Sequence, residues 1–241
     1  MLPRRTVLAT PLLMSACATP PSPPAPREEA VSFDLGDGGP PLRVLVHRPR
    51  GHARADGGWP LLIFLHGSGE RGHDLQQVKV NGPPKLAAAG RDYPCLLMSP
   101  QWPEGDWDPQ RLHRWLQVLK AANAHWRFDP DQVLVTGLSR GGHGAWTWAA
   151  AFPQDMAAIA PICGWLDPAL ACRVQVPVRA YHGDADTVVT LDRQRAPVEA
   201  LRACGGRVEF IVYPGVGHDA WTAAYDDPAL LPWLLAQRRR R

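Results

Sequence analysis

The chain has 241 residues, of which 45% are hydrophobic and 20% are charged. This composition is ordinary for a folded globular protein and excludes a wholly disordered or fibrous chain, while the length suits one domain. The formal net charge is +3, and it becomes +1 (3 − 2) if a cleaved leader removes Arg4 and Arg5. A near-neutral domain has little electrostatic reason to hold a phosphate backbone, so we expect no nucleic-acid partner.

Residues 1–17 have the layout of a bacterial signal peptide. Arg4 and Arg5 form a positive start, and Val7 to Met14 is an apolar stretch too short to span a bilayer. The small residues before Cys17 resemble a lipobox, after which the Cys thiol is diacylated. We therefore expect an exported lipoprotein, on the periplasmic side of a membrane or at the cell surface, that meets the membrane only through this anchor. The arginine pair leaves the Sec and twin-arginine routes both open.

A proline-rich linker is predicted over residues 18–30, before a catalytic domain over residues 31–241. Proline lacks the backbone donor that helices and sheets need and favours an extended chain, which suits a spacer behind an anchor. The prolines are Pro20, Pro21, Pro23, Pro24 and Pro26.

Four cysteines follow Cys17, and an oxidising compartment would permit disulfides among them. Cys95 lies in an apolar strand and reads as a buried small hydrophobe. A Cys163–Cys172 bridge across a loop is one option, and the state of Cys204 is left open. No C-x-x-C motif or paired-histidine spacing indicates a metal site, and we expect neither a metal nor a cofactor.

Apolar runs of strand length alternate with helix-length segments along the chain, and short runs that are apolar on both faces suit a buried parallel sheet. We predict strands at 44–46, 61–65, 95–98, 133–136, 157–162, 178–181 and 208–213. Helices are predicted at 75–89, with an interruption near the two prolines, and at 110–126, 140–152, 191–204 and 229–239. The alternation predicts a three-layer α/β/α sandwich with a mostly parallel central sheet.

The sharpest motif is Gly137-Leu138-Ser139-Arg140-Gly141, which follows a predicted strand and opens a predicted helix. A tight strand–helix turn of the G-x-S-x-G type exposes a serine nucleophile above the sheet. The helix N-terminus below it favours developing negative charge. We predict that Ser139 is the nucleophile.

A serine hydroxyl needs a base and an orienting acid, and these follow it in the chain order serine, acid, histidine. We assign the base to His218, just after the last strand, and expect its competitor His182 to pack or hydrogen-bond locally. Asp186 and Asp184 both follow a strand end, where ligand-binding residues of such sheets lie. We assign the acid to Asp186 and expect Asp184 to cap its loop.

The oxyanion hole is predicted at the backbone N–H groups of Ser68 and Arg140. Ser68 lies in a glycine-rich loop that follows another central strand. Because Ser68 would act through its backbone, we expect its hydroxyl to be dispensable. His66 is expected to support the loop rather than act as a second base.

With these motifs, the chain resembles the α/β-hydrolase superfamily, in particular small carboxylesterases of the predicted-peptidase group. These lie near polyhydroxybutyrate depolymerases, feruloyl esterases and acyl-protein thioesterases. The resemblance implies an α/β-hydrolase fold without a large lid domain, and it places the family's Ser, Asp and His on Ser139, Asp186 and His218. In this family the tight turn that carries the serine is called the nucleophile elbow. Arg140 departs from the Met or Gln that such elbows often carry after the serine. The matching stretches are FLHGSGERG from Phe64, GPPKL from Gly82, SPQ from Ser99, DPDQVLVTGLSRGGHGAW from Asp129, APICG from Ala160, HGDADTVV from His182 and YPGVGHDAW from Tyr213.

Four tryptophans lie in predicted loops near the same edge: Trp102, Trp107, Trp165 and Trp221. We assign Trp221 and Trp107 to the substrate pocket and expect at least two of the four to serve in ordinary packing.

The predicted function is hydrolysis of small-molecule or polymer-linked carboxylic esters through an acyl-enzyme intermediate. A serine peptidase with the same triad and a non-catalytic surface-binding lipoprotein are the alternatives. The acyl group, the alcohol and the oligomeric state are not indicated.

Overall fold

The computed structural model describes residues 27–51 and 58–239, which contain one eight-stranded sheet. The strands are β1 (Glu28–Phe33), β2 (Leu42–His47), β3 (Trp59–Leu65), β4 (Leu96–Pro100), β5 (Phe128–Leu138), β6 (Ala158–Ile162), β7 (Val178–Gly183) and β8 (Val208–Tyr213). Their order in the sheet is β1-β2-β4-β3-β5-β6-β7-β8. The β1–β2 and β2–β4 pairs are antiparallel, and all later pairs are parallel. The predicted mostly parallel sheet is confirmed.

Helices cover both faces of this sheet. They are α1 (Gly82–Ala88), α2 (Pro109–Ala121), α3 (Asn123–Trp126), α4 (Arg140–Ala151), α5 (Leu191–Ala203), α6 (Ala220–Asp226) and α7 (Leu230–Leu235). Leu112 of α2, Trp146 of α4 and Val198 of α5 belong to one buried apolar cluster. Ala220 of α6 and Leu234 of α7 belong to a second cluster. The result is the predicted three-layer sandwich of an α/β hydrolase.

Strand β3 shows how the sequence produces two cores. Successive side chains of a strand point to opposite faces of the sheet. Leu61, Ile63 and Leu65 therefore join one apolar cluster, whereas Leu62 and Phe64 join the other. A strand buried on both faces reads as a continuous apolar run, which is why it was visible in the sequence.

Element bounds differ from the predictions at both ends of the chain and in β5, which begins at Phe128 and not at the predicted Val133. The fold begins with β1 at Glu28, inside the linker predicted over residues 18–30. The predicted last helix at 229–239 is shorter, ending at Leu235. The backbone N–H of Arg239 instead donates to the Asp131 carbonyl oxygen, and Arg238 forms an ion pair with Asp129.

Cys172 and Cys204 form a disulfide with a Cα–Cα distance of 5.6 Å, so the predicted option of a Cys163–Cys172 bridge is wrong. Cys172 lies in a short 3-10 helix (Pro168–Arg173), and Cys204 follows α5 directly. The spatial neighbour of Cys172 is thus 32 residues away in sequence. Cys163 and Cys95 are buried free thiols.

The predicted signal peptide, Cys17 and most of the linker lie outside the described residues. Within residues 27–51 and 58–239, no helix combines the length and the apolar character that crossing a bilayer requires.

Candidate active site

Ser139 occupies the turn between β5 and α4, at the carboxyl end of the central strands. Its φ of 51° and ψ of −116° place a non-glycine residue in a strained backbone region. A Cβ atom at Gly141 would overlap the Leu65 carbonyl oxygen of β3, so this position accepts only glycine. The glycine lets α4 start directly against the sheet, and this close approach holds the serine above the edge.

His218 connects Ser139 to Asp186 through two hydrogen bonds. The His218 Nε2 atom lies 3.0 Å from Ser139 Oγ, and its Nδ1 atom lies 2.7 Å from Asp186 Oδ2. An ionised carboxylate only accepts, so Nδ1 carries the proton and Nε2 is free to accept from the serine hydroxyl. The structure thus brings together the three residues that the sequence assigned to a triad.

Asp186 is almost fully buried, at 5% exposure. Its Oδ1 atom accepts hydrogen bonds from the backbone N–H groups of Val188 and Val189, both at 2.9 Å. Burial raises the pKa of this carboxyl group, but the hydrogen bonds from His218 and from the two backbone groups outweigh burial and lower the pKa below its ordinary value. The carboxylate is therefore kept ionised beside His218.

The two competitors from the sequence take other positions. Asp184 is exposed, and its Oδ1 atom accepts from the Gly215 N–H at 2.6 Å, which ties its loop to the loop that carries His218. His182 is fully buried below Asp186 and donates from Nε2 to the Val189 carbonyl oxygen at 2.8 Å. Neither residue contacts Ser139 among the hydrogen bonds and ion pairs of the described chain.

Ser68 and Arg140 are each the first residue of a helix, Ser68 of a 3-10 helix (Ser68–Glu70) and Arg140 of α4. The first N–H groups of a helix have no partner within it and are available to an anion. The Ser68 loop lies against the elbow, because the Arg140 Nε atom donates to Ser68 Oγ at 2.8 Å. The Ser68 hydroxyl, expected to be dispensable, therefore has a partner that the sequence did not reveal.

His66 supports this loop from inside the protein. Its Nδ1 atom donates to the Gly67 carbonyl oxygen at 2.7 Å, and its Nε2 atom accepts from the Trp102 N–H at 2.9 Å. Burial lowers the pKa of His66 to about 4, so the ring is neutral at physiological pH. These contacts fit a structural residue rather than a base.

Of the two tryptophans assigned to the pocket, only Trp221 lies beside the site. Its half-buried ring meets the His218 ring edge-on, with 5.2 Å between centroids. Trp107 is buried at 3% exposure, packs on Trp102 and donates to the His66 carbonyl oxygen at 3.1 Å. The assignment of Trp107 to a pocket wall is therefore wrong: its indole N–H gives it a structural partner in the core.

The sequence did not indicate that Cys163 lies next to His218. Cys163 has a φ of 48°, and its thiol lies 3.2 Å from the His218 carbonyl oxygen, to which it donates. Cys163, His182 and Asp186 offer ligand atoms within 4.8 Å of one another, the arrangement of a small metal site. Burial raises the pKa of the Cys163 thiol to about 12, so the thiol is protonated and can donate to the His218 carbonyl oxygen. We interpret Cys163 as support for the His218 backbone.

Comparison with known proteins places this geometry in a family. A model of the dienelactone hydrolase family matches residues 104–228, just over half of the chain. The chain belongs to the dienelactone hydrolase family. The match includes the Ser139, Asp186 and His218 positions and supports the resemblance drawn from the motifs.

Esterases are prominent among the relatives of this dienelactone hydrolase family member. A rice protein (Oryza sativa subsp. japonica) named "Probable carboxylesterase" is 27% identical over 195 residues, covering 68% of this chain and 83% of that protein. The crystal structure of a thermostable esterase superposes with a TM-score of 0.76 at 26% identity, covering 88% of this chain and 64% of the other. An esterase from Thermogutta terrifontis, solved with propionate, gives 0.66 at 17% identity, covering 90% of this chain and 98% of the other, a likeness of fold. The chain is a hydrolase that acts on esters.

Proposed function

We propose that this protein hydrolyses carboxylic esters through an acyl-enzyme formed on Ser139. The observation that carries the proposal is the continuous hydrogen-bond chain from Ser139 through His218 to Asp186. His218 Nε2 takes the hydroxyl proton as Ser139 Oγ attacks the ester carbonyl carbon. The tetrahedral intermediate then collapses, the carbon–oxygen bond to the alcohol breaks, and His218 returns the proton to the leaving oxygen.

In the second half-reaction a water molecule takes the place of the alcohol. His218 removes one proton from this water, whose oxygen attacks the acyl carbon, and then returns the proton to Ser139 Oγ as the acid leaves. Asp186 holds the imidazole in the required tautomer and stabilises the imidazolium that forms twice per turnover. The negative oxygen of each tetrahedral intermediate faces the backbone N–H groups of Ser68 and Arg140.

The substrates that we propose follow from how little of the chain covers Ser139 at the carboxyl edge of the sheet. Between β6 and β7 the described chain carries only the 3-10 helix at Pro168–Arg173, so no large lid domain covers Ser139. An open edge suits small esters and also ester groups carried on a polymer. Trp221 beside His218 is the aromatic wall that we assign to the pocket.

We further propose that the enzyme works outside the cytoplasm, attached to a membrane through lipid on Cys17. The lipobox-like residues before Cys17 support this location. The Cys172–Cys204 disulfide supports it independently, because structural disulfides persist mainly in oxidising compartments.

The nucleophile is tested by Ser139→Ala. We expect this variant to fold normally, to lose labelling by a serine-directed phosphonate and to lose about 10⁴-fold or more in kcat on short-chain esters. Intact-protein and peptide mass spectrometry of the wild type should place the phosphonate on Ser139. A phosphonate adduct on any other serine would contradict the assignment.

A further inference from the structure

The side chain of Arg140 joins three separate segments at the catalytic edge. It extends from the first residue of α4, its Nε atom donates to Ser68 Oγ at 2.8 Å, and its Nη1 atom forms an ion pair with Asp106. Charge-assisted hydrogen bonds of this kind are among the stronger ones in proteins. Arg140 is about one-quarter exposed, so its guanidinium lies at the rim of the site rather than in free solution.

Asp106, the ion-pair partner of Arg140, lies in a loop that is itself held in place by hydrogen bonds. The Asp106 carbonyl oxygen accepts from the indole N–H of Trp102 at 2.9 Å, and the Trp102 backbone N–H donates to His66 at 2.9 Å. His66 lies two residues before Ser68 in the same loop. The contacts therefore close a ring that runs from Arg140 through Asp106, Trp102 and the loop of His66 and Ser68 back to Arg140.

The ring has a direct consequence for the two proposed oxyanion donors. One N–H belongs to Ser68 and the other to Arg140, and these residues lie on different loops, 72 positions apart. Two donors stabilise an oxyanion only if both lie at hydrogen-bond distance from the same point. The bond between the Arg140 and Ser68 side chains spans the gap between the two backbones that carry these donors, in addition to the pairing of β3 with β5.

We propose that the Arg140 side chain is a positioning group for the oxyanion hole, acting through the Ser68 hydroxyl and held by Asp106. The inference rests on the proposed function, because it assigns the residues that keep the site for the negative oxygen in shape. It gives a reason for an arginine at the position after the nucleophile. It also reverses the expectation that the Ser68 hydroxyl is dispensable.

The first test replaces Arg140 by Met, a residue that similar elbows tolerate and that keeps an apolar stem. Complete loss of one oxyanion donor costs about 10²–10³ in kcat. Displacement of a donor should cost less, and we expect Arg140→Met to lower kcat by about 10- to 100-fold. KM should change by less than about threefold, because the interaction strengthens only in the transition state. The matched control is Arg195→Met, which removes an exposed Arg–Asp ion pair on α5 and should leave kcat unchanged.

The second test separates positioning from general stability. A trifluoromethyl ketone adds to Ser139 as an anionic hemiketal and reports on the oxyanion hole, whereas the alcohol product does not. We expect Arg140→Met and Ser68→Ala each to weaken ketone inhibition in proportion to the loss in kcat, with unchanged inhibition by the alcohol. Because both substitutions break the same bond, the double variant should lose no more than Arg140→Met alone.

Three outcomes would overturn the inference while leaving the enzyme assignment intact. One is a wild-type kcat and ketone affinity in Arg140→Met. Another is a KM increase confined to esters that carry a carboxylate, which would make Arg140 a substrate contact. The third is full additivity of the two substitutions. Failure of the proposed function differs from all three, since the wild-type protein itself would then turn over no ester and bind no ketone.

Discussion

Two carboxylates two residues apart, Asp184 and Asp186, have different surroundings in the same loop. Both follow the end of β7, so position in the sheet does not separate them. Asp186 turns inward, where backbone N–H groups and His218 surround it, and Asp184 turns outward to accept one hydrogen bond from Gly215. Only Asp186 can orient an imidazole.

We predict that Asp186→Asn folds normally but loses about 10³–10⁴ in kcat, because an amide cannot stabilise the imidazolium or hold the required tautomer. Asp184→Asn should keep its activity and lose about 1 kcal/mol of stability through a weakened turn hydrogen bond. The measurement is kcat for both variants together with a thermal melt. A large catalytic loss with an unchanged melt in Asp184→Asn, and not in Asp186→Asn, would reverse the assignment.

At the scale of elements, the site depends on how the loop after β3 and the loop after β4 hold each other. His66 belongs to the first loop and Trp102 to the second, and the bond between His66 Nε2 and the Trp102 N–H needs an unprotonated imidazole nitrogen. Protonation of His66 removes this acceptor inside the core. The contact between the two loops is therefore sensitive to acid.

The sign of the pH effect follows from the pKa of His66 in the two states. The folded protein binds this proton near pH 4 and the unfolded chain near the ordinary value of 6.5. Between these values the unfolded state holds more protons, so stability falls as the pH is lowered. For this residue the loss amounts to about 2 kcal/mol between about pH 7.5 and about pH 5.

We predict that His66→Gln, although less stable at neutral pH, loses about 2 kcal/mol less than the wild type over this interval. Urea unfolding of both proteins at the two pH values measures the difference, in which the contributions of the other histidines cancel. Equal pH dependence in the two proteins would show that His66 titrates alike in the folded and unfolded states.

The elements themselves were predictable where local chemistry decides them. Asp108 accepts from the Gln110 N–H at 2.9 Å and Pro109 opens α2, as the sequence indicated. Strand β1 was missed because it pairs at the sheet edge and shows little apolar alternation, and Phe33 is its only buried residue. Helix α6 was missed because its seven residues follow the His218 loop directly.

Contacts between distant segments explain what the sequence could not supply for the site. The hydrogen-bonded arrangement of Ser139, Asp186 and His218 was predictable because each residue lies in a motif with its own local signal. The bond from Arg140 to Ser68 and the Cys172–Cys204 disulfide join residues whose neighbours in sequence give no sign of the partner. The sequence showed that Arg140 is an unusual residue for an elbow. It could not show the contacts of Arg140 with Ser68 and Asp106, which lie in two other loops.

At the scale of the whole molecule, the catalytic edge and the start of the chain are separate features. The proposed triad lies at the carboxyl ends of β5, β7 and β8. Strand β8 is one edge strand of the sheet, and β1, from which the chain leads back toward Cys17, is the other. The Pro-rich residues 18–26 would join β1 to a lipid anchor. An anchor at Cys17 would involve none of the residues of the proposed triad. Membrane attachment and ester turnover should therefore vary independently.

This independence gives a test of the location. In a bacterial host that processes lipoproteins, metabolic labelling with a palmitate analogue should tag the full-length protein and place it in the membrane fraction. Cys17→Ser should abolish the label, because the thiol is the site of diacylation, while esterase activity of the protein that is made persists. Ser139→Ala is the matched control, since it should remain labelled and membrane-bound although inactive. An unlabelled, soluble wild-type product cleaved at a site other than Cys17 would exclude the anchor and leave export alone, because the signal-peptide layout does not depend on the cysteine.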